Sequence, residues 1–200
     1  RYLMNSATYR QQSLFRKDAS LVDEANKFHW RMNPRRLEWE VMRDSILQVS
    51  GSLTHRDRGG LPVDPFSLGQ KNFRSLYGLL DREKIPATLR NFDFPTPQVS
   101  CEARVLTTVP QQGLFLMNSE FVSQCAQRLA KALPTEGSDR ERVKILFRKA
   151  LSRDPTPREL AQAEDFLRTQ GILFAKEKSF SEWDAFAQVM LLSNEFLYVD

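Results

Sequence analysis

The segment SEFVSQCAQRLAKAL, residues 119–133, has the clearest helical pattern of the chain. Its apolar residues recur every three or four positions, which is the spacing that places side chains on one face of an α-helix. A helix with one apolar face must bury that face against another element. The segment therefore predicts a packed helical core, with an inward face made of Val122, Cys125, Ala126, Leu129 and Leu133.

The same period continues on both sides of this segment. A short helix is predicted from Pro110 to Met117, and three more from Asp139 to Ser152, from Thr156 to near Gly171, and from Ser181 onward. Thr and Ser cap helix N-termini, and Pro157 fits a first turn. The expected inward residues of the last three helices are Val143, Leu146, Phe147, Ala150, Leu151, Leu160, Ala163, Leu167, Trp183, Phe186, Val189, Met190 and Phe196.

The N-terminal half has weaker patterns. A helix is predicted from Asn33-Pro34 to about Ser50, with Leu37, Val41, Ile46 and Val49 inward and Gly51 as its left-handed cap. The Gly- and Pro-rich residues 52–69 predict a long loop. The β-branched run 104–109 favours a strand, and residues 73–80 are its expected partner. The predicted fold class is mainly α, a helical bundle-like domain with a small two-stranded β element formed by about 73–80 with 104–109.

Length and composition indicate one globular domain over residues 1–200, with sub-lobes 1–109 and 110–200 as an alternative. At 200 residues and 41% hydrophobic content, the chain can bury a core. Its apolar stretches are far shorter than the roughly 20 residues that cross a bilayer, so no transmembrane segment is expected. Arg1 is not an initiating Met and opens no signal-peptide pattern. We therefore expect the chain to be a fragment of a larger protein whose natural start lies upstream of Arg1; the resemblance described below implies that it is the C-terminal fragment.

The net charge of +4 is unevenly distributed. Residues 1–60 hold 11 Lys and Arg against 7 Asp and Glu, whereas residues 135–200 hold 10 against 12. The densest basic group is interleaved with acids at helical spacings, which would neutralise much of its field. Nucleic-acid binding is therefore not favoured by this group, which consists of Arg31, Arg35, Arg36 and Arg43 with Glu38, Glu40 and Asp44.

Two cysteines, Cys101 and Cys125, stand 24 positions apart, and the chain has two histidines. Without a CxxC or CxxCH motif, a common structural zinc site or an attached c-type haem is not expected in this segment, so no cofactor is assigned to it. A disulfide between the two cysteines is left open. Cys125 fits better as a core residue, because it falls on the apolar face of a helix.

No common catalytic motif occurs, so candidate site residues rest on local surroundings alone. His29 stands between Phe28 and Trp30, as an acid or base in an aromatic pocket would, although a histidine on a packed aromatic surface is the simpler interpretation. Cys101 lies near Arg104, whose charge would favour a thiolate. Thr108 and Gln111 lie at a helix N-terminus, where an anion binds or where Thr108 simply caps the helix. An enzyme would gather Arg35, Arg36, Asp44, Cys101, Arg104, Thr108 and Gln111 into one site, and His29 is a further candidate catalytic residue.

Several stretches together carry a family resemblance. They are 6–13 (SATYRQQS), 30–37 (WRMNPRRL), 43–47 (RDSIL), 50–51 (SG), 92–95 (FDFP), 100–101 (SC), 107–111 (TTVPQ), 114–118 (LFLMN) and 194–200 (NEFLYVD). In order and spacing they resemble the planctomycete-type C-terminal domain of unknown function, found in large proteins that often also carry a cytochrome c-like domain. Gly113 and the charged residues 81–83 depart from the family pattern.

The resemblance implies an extracytoplasmic or cell-envelope protein with a haem-containing domain upstream of Arg1. It carries no catalytic residues over to this chain, and the expected partners are upstream domains of the same chain. Three functions follow as hypotheses: an accessory or interaction module, an enzyme acting on a polysaccharide or a sulfated substrate, and a polyanion-binding module. The oligomeric state is not predicted. An accessory module would expose an apolar patch where neighbouring domains attach.

Overall fold

The structure is a computed structural model that describes residues 1–55, 62–64, 72–174 and 180–199, without the side chains of residues 173 and 174. The chain divides into two compact units. The first unit contains residues 1–36 and the C-terminal residues from Tyr198, and the second contains residues 37–197. The sub-lobe boundary expected near residue 109 lies inside the second unit.

The first unit has little regular structure. Helix α1 spans Lys17–Val22, and a single 3-10 turn spans Leu3–Asn5. Strands β1, Arg35–Arg36, and β2, Tyr198–Val199, form an antiparallel pair with Arg35 opposite Val199 and Arg36 opposite Tyr198. This pair is the small two-stranded element of the fold.

The regular structure described in the second unit is almost entirely helical. Its helices are α2 Trp39–Val49, α3 Ala87–Asn91, α4 Pro110–Asn118, α5 Glu120–Lys131, α6 Asp139–Leu151, α7 Pro157–Phe174, α8 Glu182–Leu191 and α9 Asn194–Leu197. Helix α5 packs most extensively on α8, and α7 and α6 pack on α8 and on each other. The predicted mainly α fold class with a small β element is confirmed.

The inward face predicted for α5 is confirmed. Val122, Cys125, Ala126, Leu129 and Leu133 are all buried. Burial of one Leu side chain stabilises a fold by about 1.5–3 kcal/mol, so this face anchors the bundle. Most of the inward residues predicted for α6, α7 and α8 are buried as well, but Ala150 and Leu151 are half-buried and Val189 is 49% exposed.

The predicted helix starts at Thr156 and Ser181 are confirmed by hydrogen bonds. The Thr156 backbone N–H donates to Glu159 Oε2 at 2.7 Å, and the Glu159 N–H donates to Thr156 Oγ1 at 3.3 Å. Ser181 and Asp184 exchange the equivalent bonds at 2.8 and 3.2 Å. These reciprocal bonds satisfy N–H groups that have no partner within the helix.

Arg153 joins three helices near their ends, a role that sequence inspection did not identify. Its guanidinium donates to both carboxylate oxygens of Glu159 on α7 and of Glu195 on α9, at 2.6–2.9 Å. It follows the end of α6 and lies over the ring of Phe147, 5.5 Å from the centroid. Both hydrogen-bonding carboxylates raise the pKa of Arg153 above its usual value.

The predicted start of α2 at Asn33-Pro34 is wrong. Residues 35 and 36 form β1, and the helix begins only at Trp39. Its buried face is also rotated from the predicted one, because Trp39 packs on Phe92 and Phe115, whereas Val41 is 48% exposed. The left-handed cap predicted at Gly51 is confirmed by its φ of 68°.

The predicted strands at 73–80 and 104–109 are wrong. Residues Ser75–Tyr77 form a 3-10 turn, and Gly78 makes an isolated parallel bridge with Val63. Residues 104–109 have no regular structure, and Val105 is 78% exposed. The β-branched run remains irregular because its polar side chains are held by neighbouring loops and helix α2, as described below.

No helix among the described residues is long and apolar enough to cross a bilayer.

Candidate functional site

Arg104 links the irregular segment 101–109 to the start of α2. Its two terminal nitrogens donate to the two carboxylate oxygens of Glu40, at 2.9 and 2.8 Å. The same guanidinium lies 3.1 Å from Glu38 Oε2 and 4.8 Å from the ring centroid of Phe94. A planar guanidinium suits this combination of bidentate pairing and ring stacking.

The ion pair fixes the ionisation of Glu40. Burial raises the pKa of this carboxyl, but the hydrogen bond and charge of Arg104 outweigh it and hold the pKa below its usual value. Glu40 is therefore a carboxylate at neutral pH and carries no proton to donate. As long as Arg104 occupies both oxygens, Glu40 also makes a poor general base.

Asp44 lies one turn beyond Glu40 on α2 and organises the turn at residue 75. Its Oδ1 accepts from the Ser75 backbone N–H at 2.7 Å and from Ser75 Oγ at 2.8 Å. Its Oδ2 lies 3.4 Å from Nε of Arg74. These donors leave Asp44 with a structural task, which is to attach the 3-10 turn to the helix.

Arg43 supports the same turn from the buried side. Its side chain is 5% exposed, and Nη1 donates to the Phe73 carbonyl at 2.9 Å and to Ser75 Oγ at 3.3 Å. Burial lowers the pKa of Arg43, and the charge of Asp44 partly restores it. The ordinary pKa of arginine is so high that the side chain stays charged at neutral pH.

A groove of about 780 Å³ lies on the outer face of α2. Its charged lining comes from Glu40, Asp44 and Arg74, with His55 beside them, and its apolar lining includes Val41, Val49, Leu53 and Leu76. A smaller groove of about 220 Å³ shares Glu40, Ser75 and Leu76 with it. The charged groups Glu40, Asp44 and Arg74 are all engaged in ion pairs, and His55 is exposed at the edge of the described residues.

The segment before α4 is held by Asp93 and Gln112. Asp93 accepts from the Thr107 backbone N–H at 2.9 Å and from Thr107 Oγ1 at 2.6 Å. Buried Gln112 donates to the Asn91 carbonyl at 2.7 Å and accepts from the Val109 N–H at 3.4 Å. Sequence inspection identified the exposed neighbour Gln111 and missed Gln112, because the cap three residues before Gln112 is Val109, which lacks the hydroxyl of the usual capping signal.

The two cysteines differ in surroundings and do not form a disulfide with each other. Cys101 is exposed, and its Sγ lies 3.3 Å from the Ala103 carbonyl. Cys125 is buried, and this burial raises the pKa of its thiol. The predicted core position of Cys125 is confirmed, and the raised pKa makes it a poor nucleophile.

Two of the candidate residues meet at helix α2: Asp44 lies on this helix, and Arg104 is bound to its residue Glu40. Cys101, Thr108 and Gln111 are exposed positions in the same unit as these two. His29, Arg35 and Arg36 belong to the first unit. His29 is exposed with a φ of 53°, and its backbone N–H donates to the Asn26 carbonyl at 3.2 Å.

The first unit contains a cluster of two aromatic rings and two guanidinium groups, which we name the Arg–Trp cluster: Phe15, Arg16, Trp30 and Arg31. Phe15 and Trp30 meet edge to face with ring centroids 6.0 Å apart. The guanidinium of Arg31 lies 5.1 Å from the Trp30 centroid and 5.9 Å from that of Phe15. Arg16 lies 5.7 Å from Trp30 and donates to its carbonyl at 3.2 Å.

Two buried polar residues hold this cluster in place. Asp23 accepts from the Lys27 and Phe28 N–H groups at 2.9 and 2.7 Å, and its carbonyl accepts from Trp30 Nε1 at 2.7 Å. The amide of Asn26 binds the Arg31 carbonyl at 2.9 Å and the Arg31 N–H at 3.3 Å. The hydrogen bond from Phe28 is the main cause of the lowered pKa of Asp23.

The first unit exposes its large apolar side chains. Its buried residues, among those described, are polar: Asp23, Asn26 and Arg36. Ten of its large apolar side chains are between 42% and 97% exposed: Tyr2, Leu3, Met4, Tyr9, Leu14, Phe15, Leu21, Val22, Phe28 and Met32. The unit is therefore organised by hydrogen bonds and ring stacking instead of a hydrophobic core.

The first unit also carries the positive charge of the chain. Residues 1–36 contain eight Lys and Arg against three Asp and Glu, whereas residues 37–200 contain 21 against 22. The uneven charge inferred from the sequence is thus concentrated in the part that exposes the most apolar surface.

Within the described residues, no group of three or more His, Cys, Asp or Glu side chains is arranged to hold a metal ion.

Comparison with known proteins gives one match. A search of curated proteins and a search of solved structures each found nothing similar to the chain. The model of the family PSD1, described as a protein of unknown function (DUF1553), matches residues 1–167. This match confirms the expected relation to a domain of unknown function. It covers the Arg–Trp cluster, α2 with its groove, and most of the helical bundle, so the chain belongs to the PSD1 family of proteins of unknown function.

Proposed function

We propose that the chain is an interaction module of a multidomain protein, and that residues 1–36 dock it onto a further domain of that protein. The observation that carries the proposal is the combination of exposed apolar side chains and buried polar ones in the first unit. A unit of this size rarely exposes so many large apolar side chains unless its surface binds something.

The small size of the first unit supports the same proposal. Folding units of fewer than about 40 residues usually need a disulfide, a metal or a partner, because they bury too little apolar surface alone. Both cysteines lie outside this unit, and helix α1 has no buried residue. A partner surface that covers Leu21 and Val22, now 80% and 86% exposed, would supply the missing burial.

We further propose that the parent protein is extracytoplasmic and contains a haem domain. The resemblance to the planctomycete-type domain supports this part. Haem staining of the intact protein after denaturing electrophoresis of a cell-envelope fraction tests it. A covalently bound haem in that fraction is expected, and a haem-free protein recovered from the cytoplasm would contradict it.

The docking test measures binding in trans by calorimetry. The chain and the remaining domains of its parent protein are produced separately and mixed. The paired change Leu21→Ser with Val22→Ser removes exposed apolar groups without opening a core, and we expect it to weaken binding by about tenfold or more, since two buried aliphatic side chains are worth several kcal/mol.

A matched control lies in the second unit. Ile172 and Val105 are 75% and 78% exposed and line neither groove, so Ile172→Ser with Val105→Ser makes a comparable aliphatic-to-serine change at similar exposure. Binding is expected to stay within about twofold of the unchanged chain, which is the range of neutral surface substitutions. Equal loss with both pairs, or no binding of the unchanged chain, would contradict the proposal.

Polyanion binding is a second candidate, favoured by the surplus of five positive charges in residues 1–36. Strong retention on a heparin column that falls steeply with salt would support it. Elution at low salt would remove it. The exposed apolar side chains favour the first candidate, because a polysaccharide would leave most of them in water.

An enzyme acting on a polysaccharide or a sulfated substrate has less support. Asp44 and Arg104, the two candidates that the structure brings to α2, are already neutralised by Arg43, Arg74, Glu38 and Glu40. Groups that satisfy each other in the folded state are not free to polarise a substrate.

A further inference from the structure

We propose that the Arg–Trp cluster is the anchor of this docking surface and that it takes a carboxylate side chain from an acidic, partly apolar protein partner. The inference rests on the proposed function and specifies the chemistry of its partner. It starts from the arrangement of the four side chains Phe15, Arg16, Trp30 and Arg31.

The two guanidinium groups stack on aromatic rings. Among the described residues, neither Arg16 nor Arg31 forms an ion pair with an acid. The Nε atom of Arg31 is buried and has no hydrogen-bond partner among the described residues, so a partner carboxylate would meet the terminal nitrogens of this guanidinium. A stacked guanidinium still presents N–H groups along its edge, and a carboxylate fits that edge with two parallel hydrogen bonds.

The cluster is already in a fixed arrangement before any partner binds. Trp30 Nε1 is bound to the Asp23 carbonyl, and the main chain of Arg31 is bound to the Asn26 amide. Both supporting residues are buried. A preorganised anchor loses little conformational freedom on binding, and Trp and Arg are the residues that most often dominate protein interfaces.

Other exposed side chains of the first unit favour a protein over a polysaccharide. Leu14, Leu21, Val22 and Phe28 are between 69% and 86% exposed. A protein surface with apolar residues around an Asp or Glu would cover these groups and neutralise the arginines together. A sulfated polysaccharide would satisfy only the charge.

The test uses the full chain and a defined probe, an amphipathic peptide of alternating Glu and Leu residues. A control peptide has Gln in place of Glu. Binding is measured as protection of tryptophan fluorescence from acrylamide, because Trp39 and Trp183 are buried and Trp30 is the half-exposed indole. The Glu peptide is expected to bind at least about tenfold more tightly than the Gln peptide, and less tightly as salt is raised.

The variants separate the cluster from its overall charge. Arg16→Gln and Arg31→Gln are each expected to weaken binding of the Glu peptide by about tenfold. Arg31→Lys keeps the charge but loses the planar fork, so a loss of at least about threefold is expected. Arg10→Gln, at an exposed arginine of the same unit, removes the same charge and is expected to change binding by less than about twofold.

Each contrary result has a defined meaning. Equal weakening by Arg10→Gln and Arg31→Gln would overturn the proposal in favour of net charge alone. Heparin that protects Trp30 through Arg16 and Arg31 better than the Glu peptide does would overturn it in favour of a polyanion.

The main-chain bonds to Asn26 remain in the Arg31 variants, and an unchanged circular dichroism spectrum verifies that they fold. If these variants bind the peptide and the parent protein's domains normally while Leu21→Ser with Val22→Ser does not, the anchor is wrong and the docking function stands.

Discussion

At the scale of single residues, Arg104 is the clearest case of a candidate whose task is structural. Its guanidinium satisfies Glu40 with two hydrogen bonds, approaches Glu38 and stacks on Phe94. Segment 101–109 has no regular structure of its own, so this side chain is its main attachment to α2.

Replacing Arg104 therefore lowers stability. Arg104→Ala is expected to reduce the free energy of unfolding by about 1–3 kcal/mol, because it leaves the half-buried Glu40 carboxylate without its partner. Arg104→Lys restores the charge but not the second hydrogen bond, and should recover part of the loss. Urea unfolding followed by circular dichroism measures both. Arg140→Ala, at an exposed position of α6, serves as control and should stay within about 0.5 kcal/mol.

The link between Arg153 and Glu159 predicts a pH dependence. The hydrogen bonds from Arg153 outweigh the effect of burial and lower the pKa of Glu159 to about 2, from an ordinary value of 4.5. A carboxyl whose pKa falls on folding stabilises the protein fully above its unfolded pKa. That stabilisation is lost as the pH falls from about 4.5 towards about 2.

The measurement compares the unchanged chain with Glu159→Gln in urea between pH 7 and pH 3. The difference in free energy of unfolding should be constant above about pH 5 and shrink below pH 4.5, because Glu159 then becomes neutral in the unfolded state. Glu164→Gln, at an exposed carboxyl on the same helix, should show no such trend. A difference that stays constant down to pH 3 would contradict the predicted role of the ion pair.

The sequence predicted that acidic side chains near the arginines of α2 would neutralise them, but it did not predict which ion pairs form. The interleaving of Glu38, Glu40 and Asp44 with nearby arginines predicted local neutralisation. Instead, Glu38 and Glu40 pair with Arg104, more than 60 residues away, and Asp44 pairs with Arg74 as well as its neighbour Arg43. Periodicity shows which charges share a helix but carries no information on contacts between distant segments.

At the scale of elements, the helices of the bundle were predictable and the β element was not. Helices α5 to α8 have long apolar periods and clear caps such as Thr156 and Ser181. Strand β1 was not predicted, because its segment begins with a helix-start signal, Asn33-Pro34. Its partner, β2, lies some 160 residues further along the chain, so no local pattern indicates the pair. The β-branched run 104–109 lacked such a partner and stayed irregular.

Two glycines of these elements should respond oppositely to alanine. Gly113 lies inside α4 with no atom within 4 Å of an added Cβ, so Gly113→Ala should stabilise the chain by about 0.5–1 kcal/mol through helix propensity. Gly51 ends α2 with a φ of 68°, so Gly51→Ala should destabilise it by roughly 1 kcal/mol or more despite equally open surroundings. Thermal unfolding measures both. A fall in Tm for Gly113→Ala would show that this glycine has a packing role.

At the scale of the whole molecule, the two units are held together by different interactions. The second unit has a packed apolar core and nearly balanced charge. The first is organised by Asp23 and Asn26, exposes its apolar side chains and carries the positive charge. The sequence located the charge and the aromatic group at residues 28–30. It did not reveal that Phe15, Arg16 and Arg31 join Trp30, because the cluster depends on hydrogen bonds within an irregular loop.

Amide hydrogen exchange tests the docking role most directly. The chain is labelled alone and in the presence of the proposed partner, a further domain of the same protein, and exchange is followed peptide by peptide. We predict that the partner slows exchange across residues 14–32, while residues 39–55, which contain α2 and part of the groove lining, change little. Protection of residues 39–55 with none at 14–32 would contradict the assignment of the first unit as the docking surface.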